Sequence, residues 1–500
     1  MKERNTKGVI ETSGRSATES EIFIRAQRRI CQRLGWPAAL LILTVLLIGC
    51  GGGGSKPLPI PVPMPTPMPT PTPTPTPTPI PSRDVVFDSE RALDGSDNIL
   101  PNSSNGNIWG VNLDGTGATP FTHYTANKAI AQAAVFSPNA AKIAFRSSGA
   151  LDGSDNPNNP NFVVAFNIWI ANPDGTGTMP LTKLTAALAG TSFPVWSPDS
   201  SKIAFDSDRA LDGSDAVIAC SPCLEPVNVW VMKADGSSPT PLTSLTVSGV
   251  HAGSPVWSPD GTQLAYISNR ALNGSNAMAA VAGAINVWVI NADGTNDHHL
   301  TSYNTGAVAA AFLAWSPDGT KIAFQSDGAL NGSDAQTTNN THNIWVVNAS
   351  GTPVSTALTQ LDAANVDSLF PAWSPNNAKI AYKSTRALDG SNMANGANAT
   401  ENIWVMNADG SGNGHLTALA NALNNVHLAE ASVWAKNGSK IVFVSDRALD
   451  GSDATNANEA LNVWVMNADG SSPTPLTKVT VPESDCRNAR AHPLSGSRSS

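Results

Sequence analysis

Trp315-Ser-Pro-Asp-Gly-Thr-Lys-Ile-Ala-Phe-Gln-Ser326 is the stretch on which the fold turns. Ser-Pro-Asp-Gly sets a fixed φ, a side chain able to bond its own backbone and a left-handed residue in the order a tight turn uses them. The β-branched and aromatic run behind it reads as a strand. After a longer, looser segment comes a second run, Asn343-Ile-Trp-Val-Val-Asn348. The same sentence is written along the whole chain. Trp109, Trp169, Trp230, Trp288, Trp345, Trp404 and Trp464 each close an Asn-(Ile/Val)-Trp triplet, at separations of 60, 61, 58, 57, 59 and 60 residues. Phe136, Trp196, Trp257, Trp315, Trp373 and Trp434 form an offset second series, and together the two account for every Trp except Trp36. A period near sixty with two fixed aromatic landmarks marks a repeat architecture.

Each unit holds short apolar runs bounded by Gly, Pro, Asn or Asp, nearly continuous rather than alternating, as in sheets buried on both faces. Turns of the Ala-Asp-Gly type, as at 292–294, 408–410 and 468–470, separate the later runs. Four strands per unit, each sheet packed between its neighbours, predict a seven-bladed β-propeller over residues 83–493, all-β, with four-stranded antiparallel blades. Trp-Ser-Pro-Asp-Gly-Thr-Lys-Ile-Ala-Phe, followed by Asn-Ile-Trp-Val-Met-Asn-Ala-Asp-Gly, resembles the WD-like repeat of TolB-type propellers. That resemblance implies the fold, and such repeats also occur in peptidase propellers and surface lipoproteins. Where TolB places an α/β domain before its propeller, this chain has a leader and a spacer.

The first unit opens at Asp84-Val-Val-Phe-Asp-Ser89, which matches a second strand, so its first strand is missing. In most units the first-strand aromatic lies fourteen residues beyond the Thr of the preceding Leu-Thr; the same count from Thr477 reaches Ala491. Residues just before Pro493 are therefore expected to supply the innermost strand of the first blade, with 494–500 as a tail.

Residues 1–49 read as an export leader. Arg25, Arg28, Arg29 and Arg33 precede an apolar run from Pro37 to Gly49, too short for a comfortable span. Leu47-Ile-Gly-Cys50 resembles a bacterial lipobox, which implies lipid attachment at Cys50. Residues 50–82 then form a Gly stretch and a Pro/Thr-rich spacer. At about 3.1 Å per residue, polyproline II over its 25 proline-alternating residues spans on the order of 75 Å. The expected location is the bacterial cell envelope, exported and anchored by lipid, at the outer membrane or the periplasmic or extracellular face.

The net charge is −9; residues 1–36 contribute +4, leaving −13 on the rest. A body that acidic speaks against nucleic acid, whose phosphates call for clustered Lys and Arg. The chain shows no Gly-x-Ser-x-Gly elbow and no His-Glu-x-x-His, and the adjacent strand residues His298 and His299 should point to opposite faces. No catalytic residues and no cofactor are predicted. The expected role is a monomeric, non-catalytic scaffold binding a protein or glycan partner. The alternatives are a propeller hydrolase or lyase with a metal site, and a structural or adhesive surface protein.

Antiparallel strands place the first and third connections on one face and the second connection and inter-blade link on the other. The former are uniform tight turns, while the second connections vary in length and sequence, so binding is expected on their face. Each second connection opens on an acidic phrase, with Asp94 and Asp97, Asp152 and Asp155, Asp212 and Asp215, and Asp450 and Asp453 as its paired residues. These oxygens could hold Ca²⁺. Asn replaces Asp in three blades, which costs an Asx-turn nothing and favours the turn. Arg91, Arg209, Arg270, Arg386 and Arg447 precede the phrases and are expected to fix the loop by reaching a carboxylate; Gly149 and Gly328 stand in their place elsewhere. Cys220 and Cys223, with Pro between them, are a candidate local disulfide in an oxidising compartment.

Overall fold

The computed structural model describes residues 83–491 apart from 95–105, 126–128, 154–164, 186–189, 215–225, 280–282, 305–307, 351–353, 397–398, 420–425, 428–433, 453, 455, 457–459 and 481–485. Leader, Cys50, spacer and tail lie outside the described residues, as do Cys220 and Cys223.

Seven four-stranded antiparallel sheets make up the fold, and each is one blade. Blade 5 is representative. Its strands run Ala310–Trp315, Lys321–Ser326, Asn343–Asn348 and Ser355–Ala357, from innermost to outermost. The second and third strands pair without interruption, Phe324 opposite Trp345. The third strand is buried along nearly its whole length. Apolar residues on both faces of it join those of the neighbouring blades. One core cluster unites Val287 and Val289 of blade 4 with Phe324 and Trp345 of blade 5.

Asn-(Ile/Val)-Trp is a hydrogen-bonding knot. Buried Asn343 donates to Leu361 O and accepts from the Thr359 hydroxyl and Leu361 N–H, so the outer edge is tied into the inter-blade link. The same knot recurs on Asn107, Asn167, Asn228, Asn286, Asn402 and Asn462. A single Asn thereby satisfies groups that would otherwise be stranded in the core. The Ser-Pro-Asp turns work as the sequence suggests. Asp199 and Asp318 accept from the preceding Ser hydroxyl and the following amide, which holds their carboxyls down at about 2.

The ring closes as counted. Cys486–Ala491 forms the innermost strand of blade 1, antiparallel to Val85–Ser89, with Ala491 opposite Val85. That is the register of Phe136 on Ile143 and Trp196 on Ile203. A chain whose first repeat lacks one strand and whose last supplies it locks the ring with its two ends. The chain enters at Arg83 on the tight-turn face, where Asp84 accepts from Leu113 N–H of the third connection.

Candidate functional site

The innermost strands carry an irregularity that the repeat pattern hides. In blades 2, 4, 5 and 6 the register with the second strand shifts by one residue. Ala133, Ser254, Phe312 and Phe370 occupy the shift at positive φ, near 55°. Such bulges turn a strand locally and re-aim its side chains. Phe193 holds the equivalent sequence position in blade 3. The rings of Phe312 and Phe370 meet edge to face across the blade 5–6 seam, centroids 4.2 Å apart.

Facing these bulges is one position of the second strand, between the aromatic and the serine fixed in every repeat. Its occupants are Asp88, Arg146, Asp206, Ile267, Gln325, Lys383 and Val444. The flanking serines are buried and structural: Ser207, Ser268 and Ser384 donate to carbonyls of the innermost strand's entry. The residues between lie at the seam between adjacent innermost strands, at the end leading into the second connection. Asp88, Gln325, Lys383 and Val444 are buried there, while Arg146, Asp206 and Ile267 are partly exposed, all towards the variable-loop end of their blades.

Each polar occupant is held differently. Asp206 accepts from the Ser192 hydroxyl of its own blade and the Ser254 amide of the next. Gln325, 1% exposed, accepts from the Phe370 amide across the following seam. Lys383 pairs with Glu401 at 2.9 Å and lies 4.8 Å over the Phe370 ring. Arg146 sits between two rings, with Cζ 4.6 Å from the centroid of Phe166 and 5.1 Å from that of Phe193. Its Nε and Nη2 donate to Gln132 Oε1 at 3.3 and 2.8 Å.

Asp206 is partly exposed, and its carboxyl accepts from donors on two blades. Desolvation pushes its pKa up to about 7, against the opposing pull of backbone amides and the Arg146 charge. Burying charge is expensive unless it is paired. Ile267 and Val444 show that this scaffold closes the same seam with aliphatic groups. The charges are therefore not needed to build the ring, and their cost points to function.

The acidic phrases are placed less centrally. Asp212 and Asp450 each accept from the amide of the Ser two residues on, at 2.8 Å, and Asp389 does the same. Gly213, Gly390 and Gly451 adopt φ near 80°. The described half of the phrase is an Asx-turn. Asp94 and Asp152 fall at the matching turn positions, while Asp97, Asp155, Asp215 and Asp453 lie outside the described residues. Among the described residues no three His, Cys, Asp or Glu side chains gather as a metal set. His298 and His299 bond backbone carbonyls of Asn296 and Thr301 through Nδ1.

The arginines before the phrases hold the loop: Arg209, Arg386 and Arg447 donate from Nη2 to the O of Gly213, Gly390 and Gly451, and, behind the hydrogen bonds from the serines two residues on, their charges help lower the pKa of Asp212, Asp389 and Asp450. Each guanidinium also covers the repeat's Trp, at 5.2 Å for Trp230, 5.0 Å for Trp404 and 5.3 Å for Trp464. Arg270 meets the carboxylate of Asp297.

The fold defines the class: a seven-bladed β-propeller with charged residues in the seams between its blades. No protein-family model matches the chain, and no curated protein matches it either. Among solved structures it is similar to a puromycin-hydrolysing peptidase of Mycobacterium tuberculosis (14% identity, TM-score 0.50), covering 80% of this chain and 53% of that one. It is also similar to TolB of Acinetobacter baumannii (16%, TM-score 0.37; 65% and 62% covered). A third is an oligogalacturonate lyase of Vibrio parahaemolyticus (12%, TM-score 0.43; 79% and 89% covered). The chain spans about half the length of the peptidase. At these identities the likeness is one of fold alone.

Proposed function

We propose that this chain is an exported cell-envelope scaffold, anchored at Cys50, that binds a protein or glycan partner through its variable-loop face, centred on the charged seams between its blades. The observation that supports it is the second-strand position described above. Its two neighbours are fixed through seven repeats, yet it holds Asp, Arg, Gln, Lys and aliphatic residues. A purely architectural position would converge on one packing solution, as its neighbours have. Arg83, the first described residue, lies on the opposite face, beside Asp84 and its bond from Leu113 N–H. Ca²⁺ in the acidic phrases and a Cys220–Cys223 disulfide remain parts of this proposal, as stabilisers of the loops.

Photo-crosslinking in cells tests the reading. A photoreactive residue at Met393, exposed in a second connection, should trap a discrete partner. The same residue at Asp235, in a tight turn of the opposite face, should trap none. Equal capture from both faces, or capture from Asp235 alone, would overturn it. One feature favours the lyase or hydrolase alternative: a carboxylic acid titrating near neutrality is suited to proton transfer. Turnover of a substrate that ceases in Asp206→Asn would select that reading.

A further inference from the structure

Contacts independent of the seam charges tie the blades to one another, and they skip one blade. The indole of each first-strand tryptophan reaches back across a seam. Trp196 Nε1 donates to Val135 O, and Trp257, Trp315, Trp373 and Trp434 donate likewise to the O of Val195, Val256, Ala314 and Ala372, at 3.1–3.2 Å. The acceptor is in each case the residue just before the matching aromatic of the preceding blade. The tight turns after these strands touch across the same five seams. Asn139 N–H donates to the Ser200 hydroxyl, and Asn377 Nδ2 donates to Asp318 Oδ2. In the other three seams the turn glycine faces the proline of the preceding turn. A Cβ on Gly261, Gly319 or Gly438 would lie 3.5, 3.8 or 3.7 Å from Pro198, Pro259 or Pro375. Both series run from blade 2 to blade 7.

Blade 1 can join neither series. Phe136 stands where the seam between blades 1 and 2 needs an indole, and a phenyl ring carries no N–H. Ala491 lies opposite Val85 in the register of Trp196 on Ile203, and alanine has no donor for the seam between blades 7 and 1. The innermost and second strands of blade 1, Cys486–Ala491 and Val85–Ser89, come from opposite ends of the ring, so no tight turn joins them. Packing holds the blade instead. Val85 and Phe87 share a core cluster with Val442 and Val463 of blade 7, and Val86 and Ile108 share one with Phe136 and Trp169 of blade 2. Tyr124, in the link to blade 2, adds its bond to Ser147. Apolar packing is non-directional and survives small shifts that break a hydrogen bond.

We propose that blade 1 is the opening blade of the ring: its strands loosen together while blades 2–7 persist as a latched arc. The device stands apart from whatever the variable-loop face binds. Release of Cys486–Ala491 bares the edge of Val85–Ser89, whose backbone groups can then pair with another extended strand.

Hydrogen–deuterium exchange of the full chain in detergent, read by mass spectrometry, tests this. Amides of Val85–Ser89, Asn107–Val111 and Cys486–Ala491 should exchange together, on the order of tenfold faster than those of Ala252–Trp257, Gln263–Ser268 and Asn286–Asn291 in blade 4. Blade 4 must break an indole bond at each of its seams before it opens, and each such bond slows opening about fivefold. Phe136→Trp supplies a missing donor and should slow exchange in blade 1 about fivefold, with blade 4 unchanged. Trp315→Phe removes the bond between blades 4 and 5 and should speed exchange in those two blades about fivefold, which tests the latch even where Phe136→Trp misfolds. Fast exchange of Cys486–Ala491 alone, with Val85–Ser89 and Asn107–Val111 as protected as blade 4, would reveal a frayed tail and overturn the inference. Unchanged exchange in Trp315→Phe, or in blade 1 of a folded Phe136→Trp, would overturn it equally.

Discussion

Two blades lack the arginine that covers the repeat's tryptophan, and the structure shows what stands in for it. Gly149 of blade 2 lies against Tyr124, which arrives from the preceding inter-blade link; a Cβ on Gly149 would sit 2.2 Å from the Tyr124 hydroxyl. Gly328 of blade 5 follows Tyr303 with more room: a Cβ there would sit 3.5 Å from the Tyr303 hydroxyl and 3.3 Å from Val308 Cγ1. The five blades with Arg are preceded by Leu184, Leu245, Leu361, Leu419 or Val479 at the tyrosine's position. Tyr with Gly, or an aliphatic residue with Arg, are two solutions for one volume. Gly149→Arg alone must expel the Tyr124 ring. That is overpacking, which costs about 1–3 kcal/mol, together with the Ser147–Tyr124 hydrogen bond at 2.8 Å, worth roughly 1 kcal/mol. Tyr124→Leu alone loses the same bond and opens a cavity beside a glycine, for about 2–3 kcal/mol in all. The double variant recreates the Leu184/Arg209 arrangement of blade 3, with Trp169 and the Gly153 carbonyl in place to receive the guanidinium. It should fall within about 1 kcal/mol of the parent, a coupling energy of about 4 kcal/mol, above the roughly 0.5–3 kcal/mol usual for residues in contact because each single change is incompatible with the other's partner. Equilibrium urea unfolding of the four proteins reads this directly. If the double variant loses the sum of the two single losses, the exchange is not real and the glycines need another explanation.

Other expectations follow from single sites. The Asp206 carboxyl, raised from 3.8 to about 7, is bound more tightly to its proton in the folded chain. It costs nothing below pH 4, and stability declines as pH rises from 4 to 7, by up to about 4 kcal/mol at about 1.4 per pKa unit. Asp206→Asn should remove that decline, and an unchanged urea midpoint at pH 8 would show that the carboxyl is not desolvated. Asp199 and Asp318, lowered to about 2, act in the opposite sense: their contribution is present above pH 4 and lost as pH falls towards 2, so stability should peak in the mildly acid range in a pH series of melts. Gly110 meets Phe121 where other blades pair an aliphatic residue with Leu, and a Cβ there would lie 2.2 Å from the ring. Gly110→Val should therefore destabilise by about 2 kcal/mol or more, and adding Phe121→Leu should recover most of it, as read from urea midpoints. Deleting residues 486–500 exposes the edge of Val85–Ser89 and should lower the melting temperature by several degrees; no change would mean that blade 1 holds without its closing strand.

Most of the fold was legible because a repeat states its constraints seven times. The Asn-(Ile/Val)-Trp triplet looked like a strand signature and proved to be a strand with a built-in hydrogen-bond anchor. Its regularity was visible in sequence, but its partner Thr and link residue were not, since they lie fourteen to eighteen positions away across a hairpin. Closure by the tail was legible from a count of residues, although the tail has lost the Trp and Asp-Gly of its equivalents, because loop lengths between fixed strands are themselves constrained. The arginine's acceptor was not legible. Nothing in Arg-Ala-Leu-Asp-Gly says that the guanidinium will reach the backbone carbonyl of the glycine four residues on.

The site was hidden by the feature that made the fold plain. Searching for chemistry in a repeat draws attention to phrases that recur, and recurrence here marks scaffold: turns, caps and the stacked Arg–Trp pair. The acidic phrases drew attention for that reason, and their described halves proved to be Asx-turns at the rim. What distinguishes Arg146, Asp206 and Lys383 is that they differ at a position whose neighbours do not. A sequence signal for them exists, in the single variable column between an invariant aromatic and an invariant serine. Its meaning depends on geometry, since the same column on an outer strand would be solvated surface where variation is free. Only the bulge of the innermost strand, which brings Phe193, Phe312 and Phe370 against it, makes the column a buried seam at the axis. Variation is costly there, and charge is costlier still. Ile267 and Val444 fix the architectural requirement, so the departures from it measure what these seams do beyond holding the ring together.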